Sequence, residues 1–237
     1  MPIITLGCSK GGTGKSTIAT NLVVALQHQG FNVILVDCDN QFSANDWADE
    51  RDHNEELTNI MHVQKVGRIK TTLIQFRDMY DYVVVDSGGH DRSSELRQAL
   101  TICDLVLVPL RPSQLDLNAI PTMIDLIEDA RELENENLKA LYVLNAVNTA
   151  ARSTTLKEVK DALKGADNIT LCKTSLFNRD AYVRAVGDGK GVIELKNKKA
   201  KDEMLALTKE VLSQFETKKY GIRKSETKPK VKKKKSA

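Results

Sequence analysis

An α/β fold, with a doubly wound, mostly parallel sheet and helices on both faces, is what this 237-residue sequence predicts. Three observations carry that prediction. Short apolar runs rich in Val, Ile and Leu alternate with longer stretches of helical pattern. Most of the runs are continuous rather than alternating, as in strands buried on both faces of a parallel sheet. A glycine-rich loop separates the first run from the first helix, the context of a phosphate-binding loop.

In order, the first strand is Ile3–Cys8, followed directly by a helix over 15–29. Val33–Val36 is the second run. A helix over 69–79 leads into Tyr82–Val85, and one over 91–102 leads into Leu105–Val108. A long pattern over 115–136 precedes Leu141–Leu144, and a helix over 153–164 precedes the weaker run Ile169–Cys172. Over 196–215, Met204, Leu207, Thr208, Val211 and Phe215 recur three and four apart, the stripe of a helix packed on the core. After Gly221 the composition turns to Lys, Ser, Thr and Pro without periodicity, which predicts disorder.

The net charge of +3 hides an asymmetry. Residues 217–237 hold nine lysines and one arginine against Glu226 alone, a net +9, which leaves −6 on residues 1–216. The expected organisation is one enzyme-sized domain over 1–216 and a basic tail over 217–237. Cys8, Cys38, Cys103 and Cys172 are widely spaced beside apolar runs, as buried free thiols of a reducing cytoplasm are. No C-x-x-C pair supports zinc or an iron–sulfur cluster. No apolar run approaches the ~20 residues of a membrane span, and no basic leader precedes the first strand.

Residues 9–16 read Ser-Lys-Gly-Gly-Thr-Gly-Lys-Ser. A G-x-x-x-x-G-K-[ST] loop would carry glycine where Ser9 stands, and Lys10 is an additional lysine near the loop's start. Gly11, Gly12 and Gly14 let the backbone turn its N–H groups toward phosphate oxygens, and Thr13 completes the cradle. The helix N-terminus adds positive partial charge. Lys15 reaches the β- and γ-phosphates of ATP, the Ser16 hydroxyl ligates Mg²⁺, and Thr17 bonds the α-phosphate. Two further strands end in carboxylates, at Asp37-Cys38-Asp39-Asn40-Gln41 and Asp86-Ser87-Gly88-Gly89. The carboxyl ends of strands are where open α/β sheets bind ligands. Asp86 is placed to hold the Mg²⁺ shell through water, and Gly88-Gly89 gives the next loop freedom to sense the γ-phosphate.

Together these motifs resemble the deviant Walker A ATPases of the ParA/MinD group. Their x-K-G-G-x-x-K-[ST] loop is matched by Ser9–Ser16 at every fixed position, and their D-x-D-P-Q by Asp37, Asp39 and Gln41. The nearest likeness is to the small ParF-like plasmid partition ATPases, which lack an N-terminal DNA-reading domain. The resemblance implies an ATP-dependent homodimer in which Lys10 crosses to the partner's phosphates. It implies that Asp39 orients or activates the attacking water and that Asp37 supports the Mg²⁺ shell. Asn40 stands where the group has proline, and Ser87-Gly88-Gly89 replaces the commoner x-P-P. Pro109 and Arg111 resemble the group's adenine-side loop, and Asn145 ends a strand where it could face the base or make an ordinary turn.

The expected function is Mg²⁺-dependent ATP hydrolysis that drives partition of plasmid or chromosome DNA. It would use non-specific DNA binding and a ParB/ParG-like centromere-binding partner, in the cytoplasm on the nucleoid. Whether the dimers form filaments stays open. Arg152, Lys157, Arg179, Arg184 and Lys196–Lys201 are candidate DNA contacts on the body, and Lys232, Lys233, Lys234 and Lys235 in the tail. The tail lacks the apolar face of a membrane-inserting helix, so membrane binding is not expected. Two alternatives remain: positioning of a protein assembly on nucleoid or membrane, and a metabolic ATP-dependent P-loop enzyme.

Overall fold

The structure, a computed structural model, describes residues 1–89, 93–148 and 152–215; the basic tail lies outside the described residues. The described residues form seven strands: β1 (Ile3–Leu6), β2 (Val33–Cys38), β3 (Met61–Gln64), β4 (Tyr82–Ser87), β5 (Leu105–Leu110), β6 (Lys139–Val147) and β7 (Ile169–Phe177). They form one sheet in the order β3-β2-β4-β1-β5-β6-β7. Every neighbouring pair is parallel. The chain passes over the β4 slot between β1 and β2, and β5 later joins β1 on its other side. That reversal makes the carboxyl ends of β1, β2 and β4 the topological switch point of the sheet.

The helices are α1 (Lys15–His28), α2 (Ser43–Asp52), α3 (Lys70–Met79), α4 (Ser94–Leu100), α5 (Gln114–Leu117), α6 (Ile120–Leu133), α7 (Arg152–Ala162), α8 (Asp180–Gly187) and α9 (Lys198–Ser213). Strand side chains alternate between two cores. Ile4, Leu6, Leu35, Val84 and Leu107 pack with α1, α2, α8 and α9. Ile3, Val36, Val83, Val85 and Val108 pack with Leu73, Leu96, Ile127 and Val159 of α3, α4, α6 and α7. Both faces are therefore covered, which is why the strands read as unbroken apolar runs. Each such side chain, fully buried, contributes roughly 1.5–3 kcal/mol.

The sheet has one strand more than the sequence predicts. β3 is an edge strand with Met61 59% exposed, and MHVQ carries little apolar signal. α2, another unpredicted element, is polar in composition and receives its N-terminal capping from Asp37, a residue of the preceding strand. The single helix expected over 115–136 is two. Ser113 caps α5 by accepting from the Asp116 N–H, and Pro121 sits in the first turn of α6, where its missing N–H costs nothing.

Arg51 of α2 is among the largest fully buried side chains of the described residues. Its guanidinium forks onto Glu194 at 2.8 and 2.9 Å and donates to the carbonyls of Thr58 and Gly189. Burial alone would raise the Glu194 pKa. The Arg51 fork, the Gly191 N–H and His28 outweigh it and hold the carboxyl at about 2. A carboxyl depressed from 4.5 stabilises the fold above that value, and this contribution is lost as pH falls toward 2. Arg51→Met is expected to cost about 3–5 kcal/mol, because it strands a buried carboxylate. Urea unfolding of both proteins at pH 7 and pH 3 checks it; the difference between them should shrink in acid.

Candidate functional site

The loop between β1 and α1 rests on two close approaches. Gly14 caps α1 at φ 93°, and a Cβ there would lie 2.2 Å from Asn145 Nδ2. Asn145 donates that amide to the Thr13 carbonyl at 2.7 Å. The geometry of β6 aims it: Ala146 has φ 53°, and the β6–β7 register shifts between Leu144 and Val147. Asn145 is thus a strut under the phosphate loop. On the other side of the loop, a Cβ on Gly89 would lie 2.7 Å from Lys15 Nζ and 2.8 Å from the Gly11 Cα. Glycine follows β4 because the backbone must pass this close to the loop, a reason the sequence reading did not include.

Strand register assembles the acids. Asp86 lies beside Leu6, the last residue of β1, and beside Asp37 of β2. Both carboxyls are buried. Asp37 accepts from the backbone N–H groups of Asp39, Ala44 and Asn45 at 2.9–3.0 Å. Burial raises its pKa against those three bonds. Neither oxygen of Asp86 has a well-formed hydrogen bond among the described residues. Burial raises its pKa to about 7, the adjacent Ser16 hydroxyl and Lys15 act in the opposite direction, and Asp37 adds to the rise. Two neighbouring buried carboxyls, one of them orphaned beside a hydroxyl, suit a hard divalent cation. Ser16 and Asp86 would hold Mg²⁺, with Asp37 in support.

A cavity of about 670 Å³ opens on this arrangement. Its walls are the loop glycines with Lys15, Ser16 and Thr17, the strand β2 exit Asp39–Gln41 with Ser43, and Trp47, Gly89 and Val186. Asp39 is partly exposed, and its carboxylate accepts from the Gln41 N–H. Phe42, one residue on, is a non-glycine residue at φ 51°, a conformation that costs of order 1–3 kcal/mol. The strain lies in the loop that carries Asp39.

Other candidates lie elsewhere. Thr13 is buried beneath the loop. Pro109 is inside β5, paired with Val143, and Arg111 is exposed beyond that strand's end. Neither they nor Asn145 line the cavity. Lys10 also points away from it and pairs with Asp116 of α5 at 2.7 Å. That carboxylate is buried and accepts a second bond from Ser113 Oγ. Arg179 forks onto Glu203 and is already neutralised, whereas Arg184 is exposed. Lys196, Lys198, Lys199 and Lys201 are exposed around the first turn of α9, which holds no acidic residue. Arg152 opens α7, and the lysines at 232–235 lie outside the described residues.

Known proteins resemble this chain in sequence and in fold. The Maintenance of carboxysome distribution protein A of Halothiobacillus neapolitanus is 33% identical over 209 residues, 86% of this chain and 93% of that one. Protein ParA of Rhizobium radiobacter is 30% identical over 198 residues, 84% of this chain and 88% of that one. Among solved structures, apo McdA of Cyanothece gives a TM-score of 0.74 at 17% identity, over 90% of this chain and 99% of that one, a likeness of fold. The family profile described as the CobQ/CobB/MinD/ParA nucleotide binding domain matches residues 4–192. With that match joined to a phosphate loop that lines a cavity and to two register-paired carboxyls, the chain belongs to the CobQ/CobB/MinD/ParA family and is one of its ATPases.

Proposed function

We propose that this ATPase works as a positioning switch of the ParA/MinD kind. With ATP and Mg²⁺ it forms a dimer, binds DNA without reading sequence, and moves a cargo through a partner protein that stimulates hydrolysis. The observation that carries the reading is Lys10. It stands outside its own cavity on the protein's surface, held by Asp116. A lysine so placed serves the phosphates of a neighbouring copy, where two bound nucleotides bring excess negative charge together. Within one copy, Lys15 and the loop N–H groups orient the phosphates, and Asp39 holds the attacking water. Mg²⁺, when bound, offsets the charge on the β- and γ-phosphates.

Two cargoes fit. Partition of plasmid or chromosome DNA, with a ParB/ParG-like partner, follows the likeness to Protein ParA. Positioning of a large protein assembly follows the carboxysome-distribution relative, which shares more identity with this chain and is matched over more of its own length. Both call for sequence-blind DNA binding. The exposed lysines of α9 and Arg184 support it on the body, and the +9 tail supports it beyond residue 216.

The test is anisotropy with a random-sequence duplex, with and without ATP and Mg²⁺, across a salt series. The intact protein should bind tightly only with ATP, with log K falling by about 0.9 per phosphate contact per decade of salt. Deleting residues 222–237 should weaken binding and flatten that slope. Lys198→Ala/Lys199→Ala should reduce it further. Absence of ATP-dependent DNA binding in the intact protein would overturn the reading.

A further inference from the structure

Residues 189–194, between α8 and α9, are fastened to both nucleotide-site helices. On the α1 side, Asn21 is buried, donates to the Thr17 carbonyl and accepts from the Val192 N–H. A Cβ on Gly191 would lie 2.8 Å from Val24. On the α2 side, Trp47 Nε1 donates to the Lys190 carbonyl, and Arg51 holds the Gly189 carbonyl and Glu194. Gly189 sits at φ 62°, and a Cβ there would lie 2.5 Å from the Arg51 nitrogen.

The segment's two ends lead to the surface proposed above to meet DNA. Before it stands α8, with Val183 75% exposed, Arg184 exposed and Val186 on the cavity wall. After it stands the lysine-rich start of α9. α2 in turn begins at the strained Phe42 and is capped by Asp37, whose carboxylate also faces Asp86. The group that fixes the first turn of α2 is therefore a group of the nucleotide site. A change in what Asp37 binds alters the capping of α2, and α2 is tied by hydrogen bonds and an ion pair to 189–194.

We propose that residues 189–194 are the joint through which the Asp37–Gln41 loop and the α8–α9 surface sense one another, with Arg51 as the positioning residue that closes it. This rests on the reading of the site as an ATP switch. Coupling of this kind is reciprocal: whatever binds α8–α9 in one state alters nucleotide affinity by the same factor.

Hydrogen exchange of the full chain tests it, with Mg²⁺ and a non-hydrolysable ATP analogue as the probe. In the wild type the analogue should slow exchange at 39–45, at 180–188 and at 195–201. In Arg51→Met the response at 39–45 should persist, while that at 195–201 falls about fivefold. Arg51→Lys, which keeps the charge but loses the fork, should fall between and guards against an unfolded variant. Analogue affinity, by calorimetry, should stay within about threefold, since Arg51 does not itself line the cavity and meets it only through the Trp47 ring. Val186 lies on the cavity wall, so 180–188 also responds by direct contact and 195–201 is the deciding segment. Equal responses at 195–201 in wild type and both variants would overturn the joint. So would a wild type that responds at 39–45 but not at 195–201. No response at 39–45 in the wild type would instead sink the switch reading itself.

Discussion

Asp39→Ala is expected to lower the rate of ATP hydrolysis by about 10²- to 10⁴-fold while ATP still binds. The expectation comes from position. Asp39 lines the cavity and is partly exposed, and among the described residues its carboxylate accepts only from the Gln41 N–H. It packs in neither core, so its removal leaves the sheet intact. Asp37 is the contrasting case, because its carboxylate caps α2 and its loss would disturb both fold and site. If Asp39 positions the attacking water, the alanine variant should accumulate as the ATP-bound dimer, with retained DNA binding that no longer decays with time. The measurement is phosphate release beside light scattering on the same sample. A variant with wild-type turnover would remove Asp39 from the chemistry.

The central strands and the phosphate loop were legible because their signals are local. Ile3–Leu6, Tyr82–Ser87 and Leu105–Leu110 are unbroken apolar runs, and the glycine spacing of the loop survives any context. What escaped was set at a distance. α2 reads SANDWADERD, and its capping comes from Asp37 across the loop. The Asp37–Asp86 pairing depends on β4 lying between β1 and β2, an order the sequence does not display. Asn145 could equally have faced the base or a turn. A bulge in β6 and the positive φ of Ala146 turn it onto the Thr13 carbonyl. Arg51 looked like one charge among many in a polar stretch, and only the fold reveals that Glu194 waits for it 143 residues away.

Lys10→Ala is expected to abolish the ATP-dependent dimer and leave nucleotide binding within about threefold of wild type. The candidate nucleotide cavity is not lined by Lys10, so binding within one copy is expected to have no need of it. In the single copy Lys10 pairs with Asp116, which is buried and also held by Ser113. To reach a neighbour's phosphates the lysine must leave that carboxylate, so dimerisation is opposed by stranding a buried carboxylate in each copy. An exposed pair is worth about 0–1 kcal/mol, and a stranded buried carboxylate costs more. Asp116→Asn, which keeps a hydrogen-bond acceptor for Ser113, should therefore favour the dimer, which breaks two such pairs, by at least about fivefold in dissociation constant. The two substitutions act on one contact with opposite signs, which a general loss of folding would not produce. Light scattering at several protein concentrations, with ATP and Mg²⁺ and with ADP, reads both. A Lys10→Ala protein that still dimerises with ATP would refute the cross-interface role. An Asp116→Asn protein that dimerises less readily than wild type would show that Asp116 supports the interface and does not restrain it.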